Sequence, residues 1–125
     1  MKILVVDDEK DIQPLFEQRF RREIKKGEFK FVFAYSGEQA LVYLEKYKSE
    51  AVLILSDINM PGMSGLELLE NIKQKYHRPP PVVMMITAYG DDDNYKRAMA
   101  LGADDFITKP VDFGVLKETI KSMYE

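Results

Sequence analysis

Val52-Leu53-Ile54-Leu55-Ser56-Asp57 decides the fold: an unbroken apolar run that ends in a hydroxyl and a carboxylate. Alternating polarity would mark a strand with one wet face. A continuous apolar run of strand length marks a strand buried on both faces, which is the habit of parallel sheets covered by helices. Two other runs share this character. Ile3-Leu4-Val5-Val6 leads into Asp7-Asp8-Glu9, and Val82-Val83-Met84-Met85-Ile86 leads into Thr87-Ala88. Phe29–Tyr35 and Asp105–Thr108 are also strand-length and rich in residues that suit strands.

Between these runs the apolar spacing changes to that of helices. Ile12, Leu15, Phe16, Phe20 and Ile24 fit one face of a first helix. Ala40, Leu41 and Leu44 mark a second, and Leu66, Leu69 and Ile72 a third. Ala98 with Leu101 marks a fourth, and Val115, Leu116 and Ile120 a fifth. Ser36 with Gln39 and Ser64 with Glu67 read as capping boxes, and Asp112 as the cap of the last helix. Gly27 and Gly102 suit helix ends, and Pro79–Pro81 forms the entry to the fourth strand. The expected architecture is α/β: (βα)5, a doubly wound five-stranded parallel sheet in the flavodoxin-like order 2-1-3-4-5. Ligands in such sheets bind at the carboxyl ends of the strands where the order reverses, here between strands one and three.

The bulk properties bound the function. At 125 residues the chain supports one domain, taken as residues 1–125, with one core. There is no cysteine, so disulfides and thiolate metal sites are excluded. The opening MKILVVDDE is too short in apolar residues before its first acid for a signal peptide, and no apolar run is long enough for a membrane-spanning helix. A soluble cytoplasmic protein is expected, with no membrane contact. A net charge of −3 with no dominant basic stripe argues against direct nucleic-acid binding. Arg19, Arg21, Arg22, Lys25 and Lys26 read as the basic end of a helix.

The strand ends carry the chemistry. In the expected fold Asp7 and Asp8, Asp57, Thr87 and Lys109 all fall on one edge of the sheet. Carboxylates so close either rise in pKa or share a cation. Oxygen ligands without His or Cys select Mg²⁺, with Mn²⁺ as a substitute. Such sites commonly handle phosphate, and a carboxylate can itself be the nucleophile, forming an aspartyl-phosphate. Lys109 would then neutralise phosphoryl oxygens and Thr87 would donate a hydrogen bond.

With VVDDE, SDINMPGMSG, ITAYG and GADDFITKP in this order and spacing, the chain resembles the receiver domain of bacterial response regulators over essentially its whole length. The resemblance implies two-component phosphorelay signalling rather than an enzyme acting on a separate substrate. A sensor histidine kinase or phosphotransfer protein would supply the phosphoryl group to Asp57, and only self-directed phosphotransfer and autodephosphorylation would occur. It implies Asp7, Asp8, Asp57 and the backbone carbonyl of Asn59 as Mg²⁺ ligands. Thr87 and Lys109 become the phosphoryl-sensing pair, Phe106 the aromatic that switches with Thr87, and Lys109-Pro110 a cis peptide. Asn59 and Tyr89 would modulate hydrolysis. The switched surface would be the fourth helix, fifth strand and fifth helix, with Tyr95, Lys96, Lys117 and Lys121 on its exposed face. A downstream effector, an output domain or a second copy forming a homodimer would bind there. Arg21–Lys30 looks longer than the family minimum.

Simpler readings compete for several residues. Asp7 and Asp8 could merely cap the first helix, as Asp11 could. Phe106 could be core, and Asp91-Asp92-Asp93 reads as a charged helix start. His77 reads as a solvated helix-end residue. Gly62 and Gly65 have no phosphate-cradle spacing and read as loop flexibility. A haloacid-dehalogenase-like phosphatase would need an acid two residues after its nucleophile, where Asn59 stands. A flavodoxin would need a Ser/Thr/Gly-rich loop after strand one, where Asp7-Asp8-Glu9-Lys10-Asp11 would repel a phosphate.

Overall fold

Each apolar run pairs with its neighbour in parallel. A computed structural model describes residues 1–47, 53–76, 81–88 and 91–123. Val52, His77, Pro79, Pro80 and Tyr89 lie outside the described residues. The strands are β1 (Lys2–Val6), β2 (Lys30–Ala34), β3 (Leu53–Asp57), β4 (Val82–Ala88) and β5 (Asp105–Lys109), in one sheet of order β2-β1-β3-β4-β5. The helices are α1 (Ile12–Arg19), α2 (Arg21–Lys25), α3 (Gly37–Lys46), α4 (Gly65–Lys75), α5 (Asp92–Ala100) and α6 (Phe113–Met123). No helix among the described residues is long and apolar enough to cross a membrane.

The continuous apolar runs work because alternate residues serve opposite faces. Leu4, Val6, Ile54, Val83 and Met85 pack with Ala40, Leu44, Leu68, Leu69, Ile72 and Ala98 under α3, α4 and α5. Ile3, Val5, Leu53, Leu55, Met84 and Ile86 pack with Phe16, Phe20, Leu116 and Ile120 under α1 and α6. The second face is aromatic: Phe16, Phe20, Phe29, Phe31, Phe33 and Phe113 form one connected set of ring contacts. The remaining phenylalanine, Phe106, lies on the opposite face and meets the Tyr95 ring edge-on at 5.1 Å.

The expected caps form. Ser36 accepts from the Gln39 N–H, Ser64 from Glu67, Asp91 from Asn94 and Asp112 from Val115. Gly27 and Gly102 follow helix ends at positive φ.

The first predicted helix differs. It is two helices, kinked at Phe20, whose φ of −106° and ψ of 22° leave the helical region. Phe20 is fully buried against Phe31 at 5.0 Å. Beyond the kink it is Glu23, not Ile24, that turns inward: Glu23 is buried, while Ile24 is partly exposed. The Glu23 carbonyl accepts from the N–H groups of Glu28 and Phe29, which turns the chain into β2. Its carboxylate meets the Lys117 ammonium of α6 at 3.1 Å. A charged residue chosen by an ion pair breaks the apolar periodicity, so the helical pattern pointed to the wrong neighbour.

Candidate functional site

Strand register sets the site. β1 and β3 run side by side, with Val6 opposite Ser56, so Asp7 and Asp57 leave neighbouring strands at the same edge. β4 continues past Ile86, the partner of Asp57, to Thr87. β5 closes with Lys109 opposite Ala88. The order reversal expected at strands one and three is therefore where the acids gather.

Asp7 is only 5% exposed and Asp57 6%, whereas Asp8 faces solvent. The Asp7 N–H donates to the Ala34 carbonyl at 3.0 Å, and Asp7 Oδ1 accepts from the Glu9 N–H at 2.9 Å. Neither Asp7 nor Asp8 is the residue before α1. Asp11 holds that place, and its side chain makes no cap hydrogen bond. Capping therefore does not account for the acidic pair.

One carboxylate oxygen from each of Asp7, Asp8 and Asp57 lies within 4.8 Å of the others. Lys109 Nζ is 3.3 Å from Asp57 Oδ2 and 4.0 Å from Asp7 Oδ2. Burial raises the Asp57 carboxyl above its usual range and outweighs the opposing Lys109 charge and the Lys109 and Ile58 hydrogen bonds; Asp8 adds repulsion. Asp7 is raised as well, by burial against the Glu9 hydrogen bond, with the Asp57 charge adding to burial. Lys109 is shifted up despite its own burial, because Asp57 and Asp7 hold its proton. Three ionised carboxylates and one ammonium leave two negative charges uncompensated. The metal-ligating side chains that converge here among the described residues are carboxylates, so the crevice fits a hard divalent cation.

Thr87 is completely buried, and its hydroxyl has no hydrogen-bond partner among the described residues. An unsatisfied buried hydroxyl costs about 1–3 kcal/mol, so it calls for an explanation at this edge of the sheet. Asn59 sits exposed in the loop after β3. Tyr89, expected beyond Thr87, is outside the described residues. The Lys109–Pro110 peptide is cis.

Gly65 opens α4, and a Cβ there would lie 2.0 Å from the Asp57 carbonyl oxygen. Its N–H donates to the Ile58 carbonyl at 2.8 Å. Gly65 is thus needed for close approach of α4 to the end of β3, not for loop flexibility. The available signal was a glycine in the first turn of a helix, inside a capping box, where it is a poor helix former.

On the expected output surface, Tyr95 and Lys96 are exposed and Phe106 is half-buried. Lys117 is not part of that open face. Its ammonium is paired with Glu23 and lies 5.6 Å from the centre of the Phe20 ring, which directs it toward α1 and α2. Lys121 reaches Glu28 at 3.8 Å, in the same direction. The acids that draw both lysines away from the expected face, Glu23 and Glu28, lie far from α6 in sequence.

A family model of the response regulator receiver domain matches residues 3–121. The response regulator protein PilR of Pseudomonas aeruginosa is 39% identical over 119 residues, which is 95% of this chain and 25% of PilR. The chain thus spans about a quarter of the length of this relative. A response regulator receiver domain protein from Clostridium thermocellum superposes with a TM-score of 0.83 at 29% identity, covering 97% of this chain and 91% of the other. A CheY-like receiver domain protein from Methanospirillum hungatei gives 0.82 at 32% identity, covering 98% and 91%. The doubly wound sheet of this chain is thus shared with solved receiver domains. The chain belongs to the response regulator receiver domain family of two-component signalling.

Proposed function

We propose that residues 1–125 form a phosphorylation-operated switch in which Asp57 takes a phosphoryl group from a phosphohistidine on a sensor kinase or phosphotransfer protein. An Asp57 carboxylate oxygen attacks phosphorus, the P–N bond to the donor imidazole breaks, and the bonding pair leaves with that ring, which keeps or gains a proton from water. The observation that carries this reading is the Lys109 ammonium 3.3 Å from a carboxylate that burial holds beside two further acids.

Asp7, Asp8, Asp57 and the Asn59 carbonyl would hold Mg²⁺, or Mn²⁺ in its place, which supplies positive charge opposite the developing phosphoryl charge. Lys109 moves from a carboxylate to a phosphoryl oxygen. The Thr87 hydroxyl, unsatisfied in the unphosphorylated chain, finds its acceptor there. Rotation of Thr87 toward the phosphoryl group frees space that Phe106 fills, altering the surface of α5, β5 and α6. An effector, an output domain or a second copy reads that surface. Asn59 and Tyr89 modulate the rate at which water hydrolyses the acyl phosphate, the only turnover expected. The setting is cytoplasmic, with no direct role for membrane or nucleic acid.

The test is intact mass after incubation with acetyl phosphate. One phosphoryl adduct is expected with Mg²⁺, and none with chelator or in Asp57→Asn. A full adduct in the variant would remove Asp57 from its role.

A further inference from the structure

We propose that Glu38, in the first turn of α3, is a positioning residue that clamps the β3–α4 loop and thereby sets the Asn59 carbonyl for the divalent cation; this rests on the site reading above.

The loop of residues 58–64 leaves Asp57 and returns to α4. Its base is fixed by two backbone bonds: the Ile58 N–H donates to Ile86 at 3.1 Å, and the Gly65 N–H donates to Ile58 at 2.8 Å. Its far side is held from another helix. The Met63 N–H donates to Glu38 Oε1 at 3.1 Å. Gly62 has φ +72°, and a Cβ on it would meet Glu38 Oε2 at 3.3 Å, so the carboxylate lies directly against this turn. Met63 is seated in the same place: a Cβ on Gly37 would meet its Cγ and Sδ at 2.9 Å.

The clamp is presented from a fixed base. Ser36 caps α3 through the Gln39 N–H at 3.0 Å, and Gln39 Oε1 accepts from the Tyr35 N–H at 2.9 Å. A glutamate in a first helical turn would by itself only complement the helix dipole. A second role follows from its bond to a backbone N–H twenty-five residues away in sequence. Asn59 lies between the base of the loop and the clamp, and a backbone carbonyl can be aimed only through the conformation of its loop. The hydrogen bond that Glu38 makes is to the loop backbone, so it acts through the loop.

Two variants separate positioning from charge. Glu38→Gln keeps an acceptor oxygen and loses the charge; Glu38→Ala loses both. Mg²⁺ affinity is measured by calorimetric titration, and the loop is followed in metal-free protein by ¹H–¹⁵N NMR. Loss of the hydrogen bond in Glu38→Ala should weaken Mg²⁺ binding roughly three- to tenfold, with Glu38→Gln close to wild type. Metal-free Glu38→Ala should show shifted or broadened Met63 and Asn59 amide resonances. Unchanged Mg²⁺ affinity in Glu38→Ala would overturn the proposal. So would a Glu38→Gln variant as weak as Glu38→Ala, since that marks attraction by charge alone. Unchanged loop resonances in metal-free Glu38→Ala would overturn the clamp whatever the metal does. Wild-type protein that binds no Mg²⁺ would instead overturn the site reading beneath it.

Discussion

Lys109 Nζ sits closer to Asp57 Oδ2, at 3.3 Å, than to Asp7 Oδ2, at 4.0 Å, although both carboxylates are buried to the same degree. One ammonium therefore serves two acids and favours the one at the end of β3. Removing it takes the neighbouring ammonium from both carboxylates. Its side chain is 38% exposed, so solvent screens the loss. We expect Lys109→Met to destabilise the metal-free protein by about 1 kcal/mol at neutral pH. The effect should largely vanish when Asp57→Asn is added, which a double-mutant cycle of denaturant melts would read.

Stability should depend on pH with a definite sign. The Asp7 and Asp57 carboxyls are held above their ordinary value of 3.8 in the folded state. The folded chain thus binds more protons than the unfolded one between 3.8 and the raised values. Across that window the contribution of these two groups falls as pH rises, and it is largest below it. At neutral pH Asp57→Asn should raise the melting temperature of the metal-free protein, and Mg²⁺ should raise that of wild type. Thermal melts with and without chelator check both; a lower melting temperature for the metal-free variant would contradict the origin of the shift in burial.

Gly65→Ala reverses the usual effect of its substitution. In an exposed helix, glycine to alanine gains about 1 kcal/mol. Here the new Cβ would fall 2.0 Å from the Asp57 carbonyl oxygen, which is backbone and cannot step aside without moving β3 or α4. We expect a loss of about 1–3 kcal/mol, as for other overpacked sites, together with slower phosphorylation by acetyl phosphate. A stabilised variant of normal reactivity would show that the approach of α4 to β3 is not required.

At the opposite end of the sheet, Lys117→Met should cost about 1–3 kcal/mol, because the buried Glu23 carboxylate loses its ion partner at 3.1 Å. Glu23→Gln in the same background should recover much of the loss. Equal stability of Lys117→Met and wild type in urea would mean that the pair contributes nothing.

Periodicity and strand-end chemistry make the sheet order, the caps and the edge bearing Asp7, Asp8, Asp57, Thr87 and Lys109 legible in the sequence. Such features depend on residues close in sequence or on the fixed right-handedness of βαβ units. What escaped depends on contacts between distant segments. The inward turn of Glu23 is decided by Lys117, ninety-four positions later in the chain, and the need for Gly65 by a carbonyl on another element. Phe106 could have faced either side of β5, and only packing against Tyr95 and the α3–α5 face assigned it. The orphaned hydroxyl of Thr87 is likewise invisible in a string of letters, since any strand-end threonine would be written the same way.

The most direct measurement of the central claim is chemical mapping of the acyl phosphate. Protein treated with acetyl phosphate and Mg²⁺ is reduced with borohydride, which converts a phosphorylated aspartate to homoserine, and its peptides are sequenced by mass spectrometry. The account predicts homoserine at position 57 alone, dependent on Mg²⁺. Homoserine at Asp7 or Asp8, or at no aspartate of a protein that still carries the phosphoryl mass, would contradict it.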